Sequence, residues 1–454
     1  MIGIRLLLLV TAHLAQAASP TWVSLNVSVP PMLIDGDDAF NYVDMFVGTP
    51  PQLLSLPIDM QSDLISVYSN DCPFCPGTTL YDSRQSSSAK DPNKSLNGTA
   101  QLNGKWISDS IGFGGVVQAE DISIAMINTL STNLKGVRTI NGGFGFQDGL
   151  PRNNSIRKLI PELYATGQLL NPVVGMRLDP LNPKLTIGAL DPNDYDGEIN
   201  WVQLEPNNAG DNLYNQFKVD GIVGRNGTMV PYGDNLLGGI NSLFLGIAVP
   251  DNFTWSLEED FTGPFYNHSL SIDASSGRLS VGCSDNAIVW GPGVHVPTPY
   301  VDFTVQINGV KYMMDSQEIV RSVNASLAPK GFCSLVVRTS TVKGKPDFWF
   351  GLPFLRSIYI AYRLPTGECP GYYGFAFPKG ANRTQEQISQ KPRSTPAQMS
   401  QCLNLAAPTS TPTLAPPPAP EGSSVLYSVY GQEGLQVPLK GVEFLKKGVW
   451  NVTA

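Results

Sequence analysis

Apolar residues along this chain come in short runs broken by Gly, Asn, Asp and Pro, as in residues 41–47, 185–187 and 300–307. Runs of that length between turn formers predict strands and hairpins, and the pattern persists from Trp22 to about Pro378. One stretch, residues 155–166, has helical spacing, and Pro161 limits it to a short helix. Beyond Pro378 the pattern dissolves. Residues 395–424 are rich in Pro, Ala, Ser and Thr, including Pro416-Pro417-Pro418, and such a composition does not build a core. A linker or O-glycosylated stalk is therefore expected over 379–424, followed by a short tail over 425–454.

Composition sharpens this picture. With 44 Gly, 37 Pro and only 15% charged residues among 454, the chain reads as all-β and too long for one core. A net charge of -8 repels polyanions, which argues against a nucleic-acid partner, and no cluster of Lys or Arg offers a grip on lipid headgroups. The N-terminus pairs Arg5 with an apolar run over residues 6–14 and then Ala15-Gln16-Ala17, the layout of a signal peptide cut after Ala17. That run is short of the ~20 residues a membrane span needs. The C-terminal tail, with Lys446 and Lys447, lacks the hydrophobic end of a lipid-anchor signal, so a soluble secreted protein is expected.

Two further features fit the secretory route. Acceptor triplets for N-glycosylation occur at Asn26, Asn93, Asn97, Asn153, Asn226, Asn252, Asn267, Asn324, Asn382 and Asn451. Six cysteines, Cys72, Cys75, Cys283, Cys333, Cys369 and Cys402, suit full pairing in an oxidising compartment. Cys72-Pro73-Phe74-Cys75 is not followed by a second such motif, and the chain has only three His, so a small structural loop is favoured over a redox or metal site.

The run from Tyr42 through Gly48-Thr49-Pro50-Pro51-Gln52, followed by Leu56-Pro57-Ile58-Asp59, resembles the opening of the pepsin-like (A1) aspartic proteases. Asn141-Gly142-Gly143-Phe144-Gly145-Phe146, then Leu185-Thr186-Ile187-Gly188 leading to Tyr195-Asp196-Gly197 and Trp201, continue the likeness in order. So do Leu279-Ser280-Val281-Gly282-Cys283, the stretch 300–312, Cys333, and Phe350-Gly351-Leu352-Pro353-Phe354-Leu355-Arg356. The resemblance spans residues 22–378 and implies two β lobes, 18–200 and 201–378, facing each other across a cleft. It implies a Cys283–Cys333 bridge in the second lobe and a small Cys72–Cys75 bridge after the first aspartate, which leaves Cys369 with Cys402.

In that family each lobe carries an Asp on an Asp-Thr/Ser-Gly turn. Two carboxylates ~3 Å apart share one proton, so that one acts as base on a water while the other acts as acid. Here the first turn reads Asp59-Met60-Gln61-Ser62, which keeps the carboxylate and loses the hydroxyl and the glycine. Counting back from Pro250, the second position falls on Asn241, and Leu243 stands where the glycine belongs. A carboxamide has no proton to share near working pH. Asp315, in Met314-Asp315-Ser316-Gln317, echoes the first turn but lies between Cys283 and Cys333, after the family's second turn, and reads as an ordinary strand-end acid.

The flap aligns on Asn97-Gly98-Thr99, which replaces the family's tyrosine with an asparagine that is itself a glycan acceptor. A glycan there would oppose an incoming polypeptide. No Lys or Arg occurs between Arg5 and Arg84, where the family has a basic prosegment.

The expectation is a secreted, monomeric pseudoprotease that holds a peptide, an inhibitor or an extracellular partner, with no metal and no cofactor. A divergent secreted acid endopeptidase working through Asp59 with Asp315 or another acid is the first alternative. A wall- or matrix-associated glycoprotein is the second.

Overall fold

The computed structural model describes residues 19–29, 40–73, 75, 80–96, 102–130, 142–146, 156–205, 215–223, 229–230, 235–250, 271–273, 278–282, 303–314, 316–322, 332–340, 346–397 and 399–409. The expected signal peptide and everything after residue 409 lie outside them.

The fold is all-β, organised around one antiparallel sheet to which both halves of the chain contribute equally. Its order is Val23–Ser28, Lys184–Ile187, Val173–Arg177, Tyr359–Arg363, Tyr372–Pro378, Tyr195–Glu205. Numbered within each half, the strands run first, third, second, then second, third, first, so the two halves are related by an approximate two-fold between Val173–Arg177 and Tyr359–Arg363. The strands nearest that axis are buried along their whole length, as is Tyr372–Pro378. Their continuous apolar character follows from burial on both faces. The lobe boundary expected at 200/201 falls within Tyr195–Glu205, which belongs to the second half of this sheet.

Each half then builds the same crossed arrangement. In the first, Gln52–Asp59 leads into a turn and returns as Ile65–Tyr68, while Gly143–Gly145 threads between them, parallel to the first strand and antiparallel to the second. In the second, Leu237–Ile240 and Ile247–Pro250 flank Phe348–Phe350 in the same senses. Threading a strand through a turn brings backbone against backbone, which explains the glycine after each central aromatic. A Cβ on Gly145 would stand 2.4 Å from the Leu64 carbonyl oxygen, and one on Gly351 would stand 2.1 Å from that of Phe244.

Aromatic rings connect the two crossings through the shared sheet. Ring centroids step from Phe113 to Phe144 (5.7 Å), Phe146 (5.4 Å), Tyr362 (6.2 Å), Tyr373 (5.3 Å), Phe217 (5.4 Å) and Phe350 (6.0 Å). Each such pair contributes about 0.5–1.5 kcal/mol beyond the burial of its area. The expected short helix forms over Leu159–Ala165 with Pro161 in its first turn, where a missing N–H costs no intrahelical bond.

Composition expected a linker or stalk over 379–424, yet residues 379–397 and 399–409 are held as a strap along the surface. Thr384 caps the short helix Gln385–Ile388 through a capping box. Arg393 donates its backbone N–H to Asn308 O at 2.8 Å and pairs with Asp220 at 3.2 Å. Cys402 is bonded to Cys369, and its carbonyl accepts from Arg363 Nε at 3.0 Å. The strap reaches the first half at Asn171, whose carboxamide exchanges two hydrogen bonds with the Ala406 backbone, and at Trp22, whose Nε1 donates to Thr409 O. Apolar content misjudged this segment because polar side chains, main-chain bonds and one disulfide hold it in place.

Candidate functional site

The registers of the two crossings fix which residues correspond. Phe144 pairs with both Ile58 and Ile65, and Phe350 pairs with both Ile240 and Ile247. Asp59 therefore corresponds to Asn241, Met60 to Ser242 and Gln61 to Leu243. The two polar side chains adopt the same local geometry. Asp59 Oδ1 accepts the Gln61 N–H at 2.8 Å, and Asn241 Oδ1 accepts the Leu243 N–H at 3.0 Å. Each oxygen braces its own turn, as Asx side chains do. The two side chains differ in their other terminal atom, a carboxylate oxygen in one half and an amide nitrogen in the other.

One hydroxyl ties the turns together. Ser242 Oγ accepts the Met60 N–H at 2.8 Å and donates to Ile58 O at 2.6 Å, and the serine is only 1% exposed. Met60, equally buried, has no hydroxyl with which to reciprocate. The link between the halves is thus one-sided. This role of Ser242 was missed from sequence, and the available signal was a hydroxyl in the middle of an otherwise altered turn.

Burial is the main influence on Asp59 and raises its pKa; the Gln61 and Ser62 backbone N–H groups act in the opposite sense, and the nearby Asp63 charge adds to the rise. Asp63 itself is paired with Lys158 at 3.2 Å. Asp59 is thus held toward its protonated form, and its counterpart by register, Asn241, carries a carboxamide that does not titrate.

Strand alternation identifies what shares a face with these side chains. A Cβ on Gly143 would lie 3.2 Å from Asp59 Cβ and 3.6 Å from Ser66 Oγ, so Gly143 lies on the face that carries Asp59 and any side chain there would crowd the carboxyl group. The residue in the corresponding place in the second half is Trp349, which pairs with Gly239 and Ala248. A Cβ on Gly239 would lie 3.3 Å from Trp349 Cζ3. The indole thus rests over Gly239, on the Asn241 side of the sheet. Trp349 was quoted by no motif, because its meaning lies in the register.

The remaining expected site residues distribute as follows. Asn97, Gly98 and Thr99 lie outside the described residues, beyond the end of the paired strands Lys90–Ser95 and Leu102–Phe113. Asp315 also lies outside them; the strand before it, Val310–Met314, belongs to a separate sheet with Phe303–Ile307. Cys72 and Cys75 are bonded to each other, whereas the expected Cys283–Cys333 bridge falls outside the described residues. Of the glycan acceptors, Asn26, Asn93 and Asn382 are exposed; Asn97, Asn153, Asn226, Asn252, Asn267, Asn324 and Asn451 are not among the described residues. Among the described residues no group of His, Cys, Asp and Glu is arranged to hold a metal, and no helix is long and apolar enough to cross a membrane.

A family model described as eukaryotic aspartyl protease matches residues 41–238, a span that includes the Asp59 turn and stops just short of Asn241. No curated protein matches the sequence significantly. A matched first half and a second half that repeats its crossed-strand turn about a shared sheet make the chain similar to the pepsin-like aspartic proteases.

Proposed function

We propose that this protein is a secreted glycoprotein that binds an extended polypeptide between its two lobes without hydrolysing it. The observation that carries the reading is Asn241 in the place that corresponds to Asp59. Peptide hydrolysis on this architecture requires two carboxyl groups that divide one proton, one activating water and the other protonating the carbonyl oxygen. Asp59 retains one of these functions at a time, and the carboxamide of Asn241 supplies neither. Losing one acid or base partner costs ~10²–10⁴ in rate. The bulkier Gln61 and Leu243 at positions that call for glycine move the reaction further from reach. Recognition of a polypeptide needs no shared proton, so the loss of the second carboxyl group does not by itself remove it. The leader-like N-terminus, the exposed acceptors Asn26, Asn93 and Asn382 and the two disulfides support secretion.

The test is incubation with an acid-denatured protein across acidic pH, with and without a statine-type inhibitor. The native chain is expected to give no inhibitor-sensitive cleavage, and Asn241→Asp is expected to give measurable cleavage that Asp59→Ala removes. Inhibitor-sensitive cleavage by the unaltered chain, abolished by Asp59→Ala, would instead establish an active endopeptidase.

A further inference from the structure

We propose that the strap is an interlobe clasp, fixed to the second half of the molecule and closed on the first at both ends of the seam where the halves meet. It concerns the scaffold and holds whatever lies between the lobes.

Within the shared sheet the halves join along one pair of strands, Val173–Arg177 and Tyr359–Arg363, in register from Met176 opposite Ile360 to Val173 opposite Arg363. Four residue pairs make a short seam, and small sliding or turning about such a contact is the ordinary way for two packed bodies to move. The strap brackets that seam. At one end Lys379, where the strap begins, donates its N–H to Asp194 O at 3.0 Å and accepts from Arg177 Nη2 at 2.8 Å. At the other end Arg363 holds Cys402 O at 3.0 Å, and Ala406 pairs with Asn171 just before Val173. The first half has nothing equivalent, because the chain after Lys184–Ile187 passes on to Tyr195–Glu205, whereas after Tyr372–Pro378 it becomes the strap.

Strand alternation shows which side of the sheet is braced. Tyr362 and Tyr373, whose rings lead to the two crossings, lie on one face, and Tyr359, Ala361 and Tyr372 lie on the other. Cys402, Leu403 and Leu405 pack on this second face, so the clasp crosses the seam from behind and stays clear of the Asp59 and Asn241 turns.

The fastenings share one chemistry. A carboxamide both donates and accepts, so it can exchange two hydrogen bonds with the backbone of a single residue, as a neighbouring strand would. Gln390 does this with Lys311 at 2.9 and 3.3 Å, and Asn308 with Ser394 at 2.8 and 3.2 Å. Both pairs bind the strap to the second half, as does the Cys369–Cys402 bond. Asn171 makes the same exchange with Ala406 at 3.1 and 2.9 Å, and this pair alone of the three joins the strap to the first half. Closure is therefore separable from attachment. Losing two hydrogen bonds of this kind shifts the closing equilibrium by ~10-fold.

The test measures the separation of the lobes in the full-length protein by double electron–electron resonance. Spin labels are carried by Lys94→Cys and Lys218→Cys, at exposed positions in the first and second halves. With the clasp intact a single narrow distance is expected. Ala406→Pro removes the N–H that Asn171 accepts, at an exposed residue of the strap, and should replace that distance with a broadened distribution. Asn171→Ala should do the same, and it serves if Ala406→Pro does not fold. Gln390→Ala loosens a fastening that lies within the second half and should leave the distance narrow. A distribution as narrow as the parent's in Ala406→Pro overturns the clasp. Equal broadening in Gln390→Ala also overturns it, since the effect would then be a general loosening and not the loss of closure on the first half.

Discussion

Ser242→Ala is expected to destabilise the protein by about 3 kcal/mol and to lower its melting temperature by roughly 5 °C. The hydroxyl makes two hydrogen bonds from a buried position, at 2.8 Å from Met60 N and 2.6 Å from Ile58 O. Deleting it loses both. It also strands the Met60 N–H, which has no water within reach because Met60 is fully buried. Ser242→Thr keeps the hydroxyl and should restore most of the loss, which separates the hydrogen bonds from simple packing. The measurement is calorimetric melting of the two variants beside the parent. A Ser242→Ala melting point within about 1 °C of the parent would mean that the two turns are held together by something other than this hydroxyl.

The second large effect concerns pH and resides away from the turns. Asp194 is 1% exposed and its pKa is raised to about 6, above all by burial, which outweighs the attraction of Lys184 at 3.8 Å. Asp191 and Asp179 add to the rise, and Arg177, itself paired with Asp179 at 2.5 Å, opposes it. A carboxyl that holds its proton more tightly folded than unfolded favours the fold at low pH. That contribution declines as pH climbs from near 4 toward about 6, and above that the fold carries a penalty on the order of 3 kcal/mol. Asp194→Asn, which mimics the protonated form, should therefore raise the melting temperature at neutral pH and leave it almost unchanged near pH ~4. The raised pKa of Asp59 works in the same direction, so the informative quantity is the difference between variant and parent across pH. A difference that stays flat from acid to neutral would show that Asp194 does not titrate in this range.

The first half of the molecule was legible in the sequence because its turn lies between two landmarks, Gly48-Thr49-Pro50 before it and Gly143-Phe144-Gly145 after it. The short helix at Pro161 was legible for a different reason: spacing and a helix-compatible proline are local properties. Cys369 and Cys402 could be paired once the other four cysteines were assigned by resemblance, and the structure bonds them.

The second turn was harder to read, since the residues around Asn241 keep no stretch of the family pattern longer than the serine. Its correspondence to Asp59 became visible through two pairings of Phe350, a relation between residues about a hundred positions apart. The same applies to Trp349, whose significance depends on what lies beside it in register. The strap escaped notice because a Pro- and Ser-rich segment gives no apolar periodicity to read, and its bonds run to Asn171, Asn308 and Arg363, far away in the chain.

The contact between Trp22 and Thr409 has a mechanical consequence. A force applied at residue 409 and resisted at residue 22 acts across two points held together beside the edge strand Val23–Ser28 of the shared sheet, not across the two lobes. Such a pull would peel only residues 403–409 before the load reached the covalent bond between Cys402 and Cys369. The turns carrying Asp59 and Asn241 stay out of the line of tension, so they would keep their shape while the molecule is tugged at these two points.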